Sequence, residues 1–302
     1  MASQTVYPKQ VALTRQQERQ VRMARFKNVL RSIPTYTLLS MFSLSAILTL
    51  AWAVIMSLRP NQELFTYGAF ALPKVWKFQN YVDAWREMRV GLYFLNTLLY
   101  SVVGTAGAVI LAACTAYVLA RVKFRGRNLV YYLFLVSMMV PGFLSMVPRY
   151  FLLKNMGLVD TYTVIFLLAW TSGLSFNLFL LINFFETLPT ELEEAAFIDG
   201  ANAWQIFSKV MLPLARPGLV TIAIFTFMGQ WNEFMTPLIY LRDPSKYPLA
   251  LGLQVLAFNA TYSANHTKLF AGMIIFMIPI LTMYLVLKDR ITEGLTIGAL
   301  KG

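Results

Sequence analysis

The chain has 302 residues, of which 58% are hydrophobic and 13% charged; a soluble domain carries roughly 25% charged residues, so an ordinary water-soluble fold is excluded and the bilayer is the expected solvent. One cysteine, Cys114, and one histidine, His266, leave no parts for an internal disulfide, a zinc site or a histidine-based triad. The net charge of +12 does not imply nucleic acid, because the basic residues lie between apolar blocks instead of lining one polar face with aromatics.

A basic arm, residues 1–33 (Lys9, Arg15, Arg19, Arg22, Arg25, Lys27, Arg31), precedes the first apolar run. That run is longer than a signal-peptide core and lacks a small-residue cleavage site, so it is expected to stay in the mature protein. Six runs reach the about 20 apolar residues that cross a bilayer as helices, near 36–58, 93–120, 129–147, 162–185, 219–241 and 269–287. The expected fold class is an all-α membrane protein of six transmembrane helices. Of the 26 lysines and arginines, 16 fall on the side of the arm and the even-numbered connections, a compact cluster from Arg121 to Arg127 among them. Short basic loops stay in the cytoplasm, so both termini, including the tail 288–302, are expected there.

The first connection, Arg59 to Val90, mixes Trp76, Tyr81 and Trp85 with charges of both signs, as interfacial anchors do. In the second run Gly104 and Gly107, with Ala108 and Ala112 nearby, let a helix approach closely. In the third, Pro141 and Gly142 predict a kink turned toward protein or a cavity.

The fourth connection, 186–217, is unlike the others. Thr190 with Glu193 has the form of a capping box, and Asn202 with Gln205 is a looser version; Gly200 between them suits a left-handed turn. Helix, turn, helix is predicted, with Trp204, Phe207 and Met211 as an apolar stripe and Leu212 and Pro213 as its stop. Ala195 and Ala196 admit a close partner beside Glu191, Glu193 and Glu194. Those acids suit an anionic leaflet poorly, which favours a protein partner.

The run Glu194-Ala195-Ala196-Phe197-Ile198-Asp199-Gly200-Ala201, followed by Leu212-Pro213-Leu214, resembles the E-A-A loop of binding-protein-dependent ABC importer permeases. Ala116-Tyr117-Val118-Leu119-Ala120-Arg121, Trp231-Asn232-Glu233-Phe234 and the end Gly294 to Gly302 are similar to the maltose-type, carbohydrate branch. The resemblance covers nearly the whole chain after Pro34. It implies a type I importer permease fold in a bacterial or archaeal cytoplasmic membrane, assembled with a second related permease, two cytoplasmic ATPase subunits and an extracytoplasmic solute-binding protein. Glu194, Ala195, Ala196, Asp199, Gly200 and Ala201 would then couple to an ATPase cleft. The loops 59–90 and 242–268 are the surfaces expected to meet the binding protein. The chain itself is expected to be no enzyme: no Gly-Lys pair occurs, so there is no phosphate-cradling loop, and ATP and Mg would be bound by the ATPase partners.

Of 14 carboxylates only Glu233 lies well inside a run, and an ionisable group at such depth is a functional candidate. It either completes a structural or gating network or touches the solute. Sugars are held by aromatic faces and a few polar anchors, and Trp170, Asn177, Gln230, Trp231, Asn232 and Glu233 are the candidate translocation-path residues. Trp170 and Asn177, seven apart, share a helix face and are the favoured pair of the fourth run. Two other readings are weighed: a secondary transporter whose coupling ion sits at Glu233, and a membrane hydrolase, for which no nucleophile with a base or metal ligands is found.

Overall fold

The computed structural model describes residues 15–87, 89–263 and 265–299; the first fourteen residues of the basic arm, and Leu300, Lys301 and Gly302 of the tail, lie outside the described residues. Every regular element among the described residues is helical. Two compact units divide the chain, residues 1–55 and 56–302.

The described part of the first unit is helical: α1 (Arg15–Ser57) runs on through Pro34, so that the basic arm from Arg15 and the first apolar run are continuous. Its last turn opens the second unit, where α2 (Asn61–Tyr67) and α3 (Gln79–Glu87) follow. The spine of that unit is α4 (Val90–Arg121), 32 residues against which the later helices pack. Ala108, Ala112 and Ala116 are fully buried along it, because small side chains let neighbouring backbones approach where lipid tails are as apolar as leucine and association rests on close fit. Ideal Cβ atoms at Gly104 and Gly107 would lie 2.9 Å from the Ala169 Cβ and 2.0 Å from the Trp170 Nε1. The glycine pair is therefore a seat for the end of α7 (Tyr162–Thr171).

Three of the expected single spans are broken. The third becomes α5 (Arg127–Met139) and α6 (Gly142–Asn155), turned 98° at Val140 and Pro141; proline lacks the N–H that would continue the helix and forces its predecessor out of the helical region. The fourth becomes α7 and α8 (Leu174–Thr187), bent 43° at Ser172 and Gly173, where Gly173 takes φ +70°. The loop expected at 186–217 contains α9 (Glu191–Ile198) and α10 (Ala203–Leu214), the latter a π-helix over Ile206–Met211. The fifth span divides into α11 (Arg216–Trp231) and α12 (Met235–Tyr240).

A further helix, α13 (Leu249–Ser263), occupies what was expected to be a loop, and α14 (His266–Ala299) contains the sixth run. Among the described residues, Ser32–Ser57 and Val90–Arg121 alone are single helices long and apolar enough to cross a bilayer; three bent pairs, α5–α6, α7–α8 and α10–α11 (bent 75°), qualify when each is taken as one span. One core joins α4, α8 and α10 through Leu119, Leu181, Phe185, Phe207 and Met211. A second, nearer the start of α4, gathers Tyr100, Val164, Leu168 and Tyr240.

Candidate functional site

Helix α9 starts without a side-chain cap. Thr190 is already helical (φ −70°, ψ −25°), and its carbonyl accepts from the Glu193 and Glu194 N–H groups at 3.0 and 3.1 Å, so the expected box with Glu193 does not form. The box at Asn202 does: the Gln205 N–H donates to Asn202 Oδ1 at 2.9 Å and the Asn202 N–H to Gln205 Oε1 at 2.8 Å. Between them Gly200 takes φ +83°, and the Gly200 and Ala201 N–H groups close on Phe197 and Ala196 carbonyls at 3.0 Å, a left-handed stop that glycine adopts at no steric cost.

The predicted stripe is graded in depth: Phe207 and Met211 are buried in the α4–α8 core, whereas Trp204, its ring 5.5 Å from that of Phe207, stays 67% exposed, as do Phe197 and Ile198 at 73% and 83%. The expected stop at Leu212 and Pro213 holds: the helix ends at Leu214 and a 75° bend separates it from the next.

What fixes this pair to the bundle is Arg121, the last residue of α4. Its Nη2 donates to the carbonyls of Phe185 and Leu188, at the end of α8, and its Nε lies 3.4 Å from Glu193 Oε1 on α9. The ion pair carries no aligned hydrogen bond and both atoms are buried. Burial pushes the Glu193 carboxyl up from its ordinary value, outweighing the opposite pull of Arg121. A second pair, Arg127 to Glu186 at 3.5 Å, is more exposed.

A cleft of about 210 Å³ opens where the α7–α8 bend meets the end of α11, lined by Ser172, Phe176, Asn177, Phe225, Gln230 and Glu233 among others. Asn177 is buried, and its Nδ2 donates to Thr226 Oγ1 at 3.3 Å. Glu233 Oε1 accepts the Thr236 N–H at 2.9 Å, capping α12. The structure thus brings Asn177, Gln230 and Glu233 together and leaves the other candidates elsewhere. Trp170 lies across Gly107 with its indole N–H donating to the Val103 carbonyl at 3.0 Å. The break at Ser172 and Gly173 voids the seven-residue argument that put Trp170 on a face with Asn177. Trp231 is 3% exposed and stacks on Phe227, and Asn232 Nδ2 donates back to the Met228 carbonyl.

Toward the other end of α4 a second charged tie holds the loop after α12. Asp160, at φ +63°, accepts the Arg242 and Asp243 N–H groups at 3.1 Å on Oδ1, and Lys246 Nζ lies 3.3 Å from its Oδ2. Backbone N–H groups, first that of Arg242, and then Lys246 hold the Asp160 carboxyl below the usual range. Tyr100 Oη donates to the Lys246 carbonyl at 2.7 Å and Asn96 Nδ2 to the Ser245 carbonyl at 2.8 Å. Neither Arg121 nor Asp160 stood among the expected site residues. The signal for Arg121 was its place as the one charge closing a 32-residue apolar helix.

Residues 89–296 match the family described as binding-protein-dependent transport system inner membrane component. The diacetylchitobiose uptake system permease protein NgcG of Streptomyces coelicolor is 37% identical over 267 residues, 88% of each chain. The arabinooligosaccharides transport system permease protein AraQ of Halalkalibacterium halodurans is 32% identical, covering 85% of this chain and 92% of its own length. A crystal structure of a bacterial ABC transporter involved in import of the acidic polysaccharide alginate contains a chain with TM-score 0.75 and 27% identity, covering 87% of this chain and 97% of that one.

Proposed function

We propose, for a chain that belongs to the family of binding-protein-dependent transport system inner membrane components, that it is one of two permease subunits of an ATP-driven oligosaccharide importer. The sugar assignment rests on its relatives, whose names specify diacetylchitobiose and arabinooligosaccharides. In this reading six segments cross a bacterial or archaeal cytoplasmic membrane, with α5–α6, α7–α8 and α11–α12 as broken spans and both termini in the cytoplasm. The partners are a second permease, two ATPase subunits that bind ATP and Mg, and an extracytoplasmic binding protein.

The observation that carries the reading is the strut at Arg121. One guanidinium spans the joint between α8 and α9, so a push on the exposed turn at Asp199 and Gly200 reaches the α4 spine directly. Force passes only through elements with defined alternative arrangements, and the capped pair with its buried Phe207 and Met211 supplies a stiff lever. Glu194 and Ala195, which are exposed, form the surface that meets the ATPase, Ala196 and Ala201 pack against the α4–α8 core and seat the pair, and Asn177, Gln230 and Glu233 line part of the solute path.

The test is Gly200→Trp in the full assembly reconstituted in liposomes. The open space around Gly200 leaves room for the ring, but φ +83° strains the turn under any side chain and an ATPase cleft excludes an indole, so Gly200→Ala, which adds the strain without the bulk, is the control. Expected are normal membrane insertion, loss of ATPase subunits on purification and loss of ATP-driven uptake. Uptake that survives ATP depletion and collapses with an ion gradient overturns the proposal.

A further inference from the structure

The cleft lies between two interrupted helices, a place where irregular backbone is tolerated in a membrane only when it is buried or lines a cavity. Its polar side chains are half used. Asn177 donates to Thr226 and keeps its Oδ1 as an acceptor; Glu233 caps Thr236 through Oε1 and keeps Oε2; among the described residues the side chains of Ser172 and Gln230 bond nothing. Phe176 and Phe225 stand beside them, 46% and 38% exposed. Aromatic faces with a few free donors and acceptors match the alternating apolar and hydroxyl faces of a sugar ring. At about 210 Å³ the space is smaller than the roughly 300–1,000 Å³ that takes a drug-sized ligand, so it admits one ring at a time.

The lining contains no lysine or arginine and one carboxyl group. A uronate ring would set a second carboxylate beside Glu233 with no cation between them, a like-charge contact that discriminates against it. We propose that this cleft is a subsite for a neutral sugar ring and that Glu233 makes it reject uronates. The proposal rests on the permease reading above.

The probes are galactobiose and digalacturonate, which differ in their C6 groups, offered to the intact assembly in nanodiscs without binding protein and read by saturation-transfer NMR. Galactobiose is expected to receive saturation, falling about fivefold or more in Gln230→Leu and in Asn177→Leu, the change that a lost hydrogen bond or two produces. Digalacturonate is expected to receive it only in Glu233→Gln, whose amide oxygen keeps the Thr236 cap and the fold. Galactobiose saturation that is absent or unchanged in both leucine variants, or digalacturonate that binds the unaltered assembly equally well, overturns the subsite. Failure of the larger reading is seen separately, as a chain that does not co-purify with ATPase subunits or an assembly that does not hydrolyse ATP when binding protein is added.

Discussion

Two charged ties sit on the α4 spine, and they are built on opposite principles. From Tyr100, which reaches the Lys246 carbonyl, to Arg121 is 21 residues, or about 30 Å at 1.5 Å per residue, one hydrocarbon thickness. At the Tyr100 end Asp160 is fed by two backbone N–H groups and a lysine, so its charge is welcome. At the Arg121 end the carboxylate of Glu193 is buried against a guanidinium that spends its well-formed bonds on the Phe185 and Leu188 carbonyls, so its charge is barely tolerated. The first tie pins a loop through a well-solvated charge, whereas the second joins α9 to the bundle through a buried one.

The contrast is sharpest at Arg121 itself. Arg121→Ala strands a buried carboxylate and two carbonyls, and breaking a buried pair this way costs on the order of 3–5 kcal/mol; the assembly is expected to lose more than tenfold in ATP-driven uptake and much of its thermal midpoint. Arg121→Lys should recover only part, because a point charge cannot replace the guanidinium fork. Equal behaviour of all three proteins would dissolve the distinction between the ties. Asp160→Asn, by comparison, keeps the Oδ1 acceptor for both backbone N–H groups, loses only the contact with Lys246 and should lower stability by about 1 kcal/mol, with uptake per assembled complex changed far less than in Arg121→Ala.

Acid should separate the ties by sign. Glu193 has a raised pKa in the folded chain, so its contribution is full below the ordinary value of 4.5 and is lost as pH rises through the raised one. Asp160 has a lowered pKa, so its contribution is present above 3.8 and is lost as pH falls through the lowered one. Unfolding followed downward from pH 7 should therefore lose its acid-side gain in Glu193→Gln and its later acid-side loss in Asp160→Asn; identical profiles would remove the difference. The smallest effect lies within the lever. Asn202→Ala should cost about 1 kcal/mol, and Thr190→Ala, whose side chain caps nothing, under about 0.5 kcal/mol.

The apolar runs, the E-A-A turn at Gly200 and the Asn202 box were legible in the sequence because each is a local signal: length, a left-handed glycine, a side chain three residues from its partner. Breaks were legible only where proline marked them, as at Pro141. Gly173 gave no such mark, and the bend it permits separated Trp170 from Asn177. Glu233 stood out by its depth, but its bond to the Thr236 N–H belongs to a helix start announced by Pro237, two residues into α12. Helix α13 was hidden because 15 residues fall short of a span and polar segments bracket them. The Arg121 strut needed the third dimension, since its acceptors lie 64 and 67 residues away.

The indole of Trp170, lodged over Gly107 and hooked to Val103, works as a key in a keyway. A helix so keyed cannot slip lengthwise along its neighbour without first lifting the ring clear, yet it can still pivot about the ring. Motion between α7 and the spine is thereby restricted to rocking, and even a methyl group at residue 107 would jam the slot.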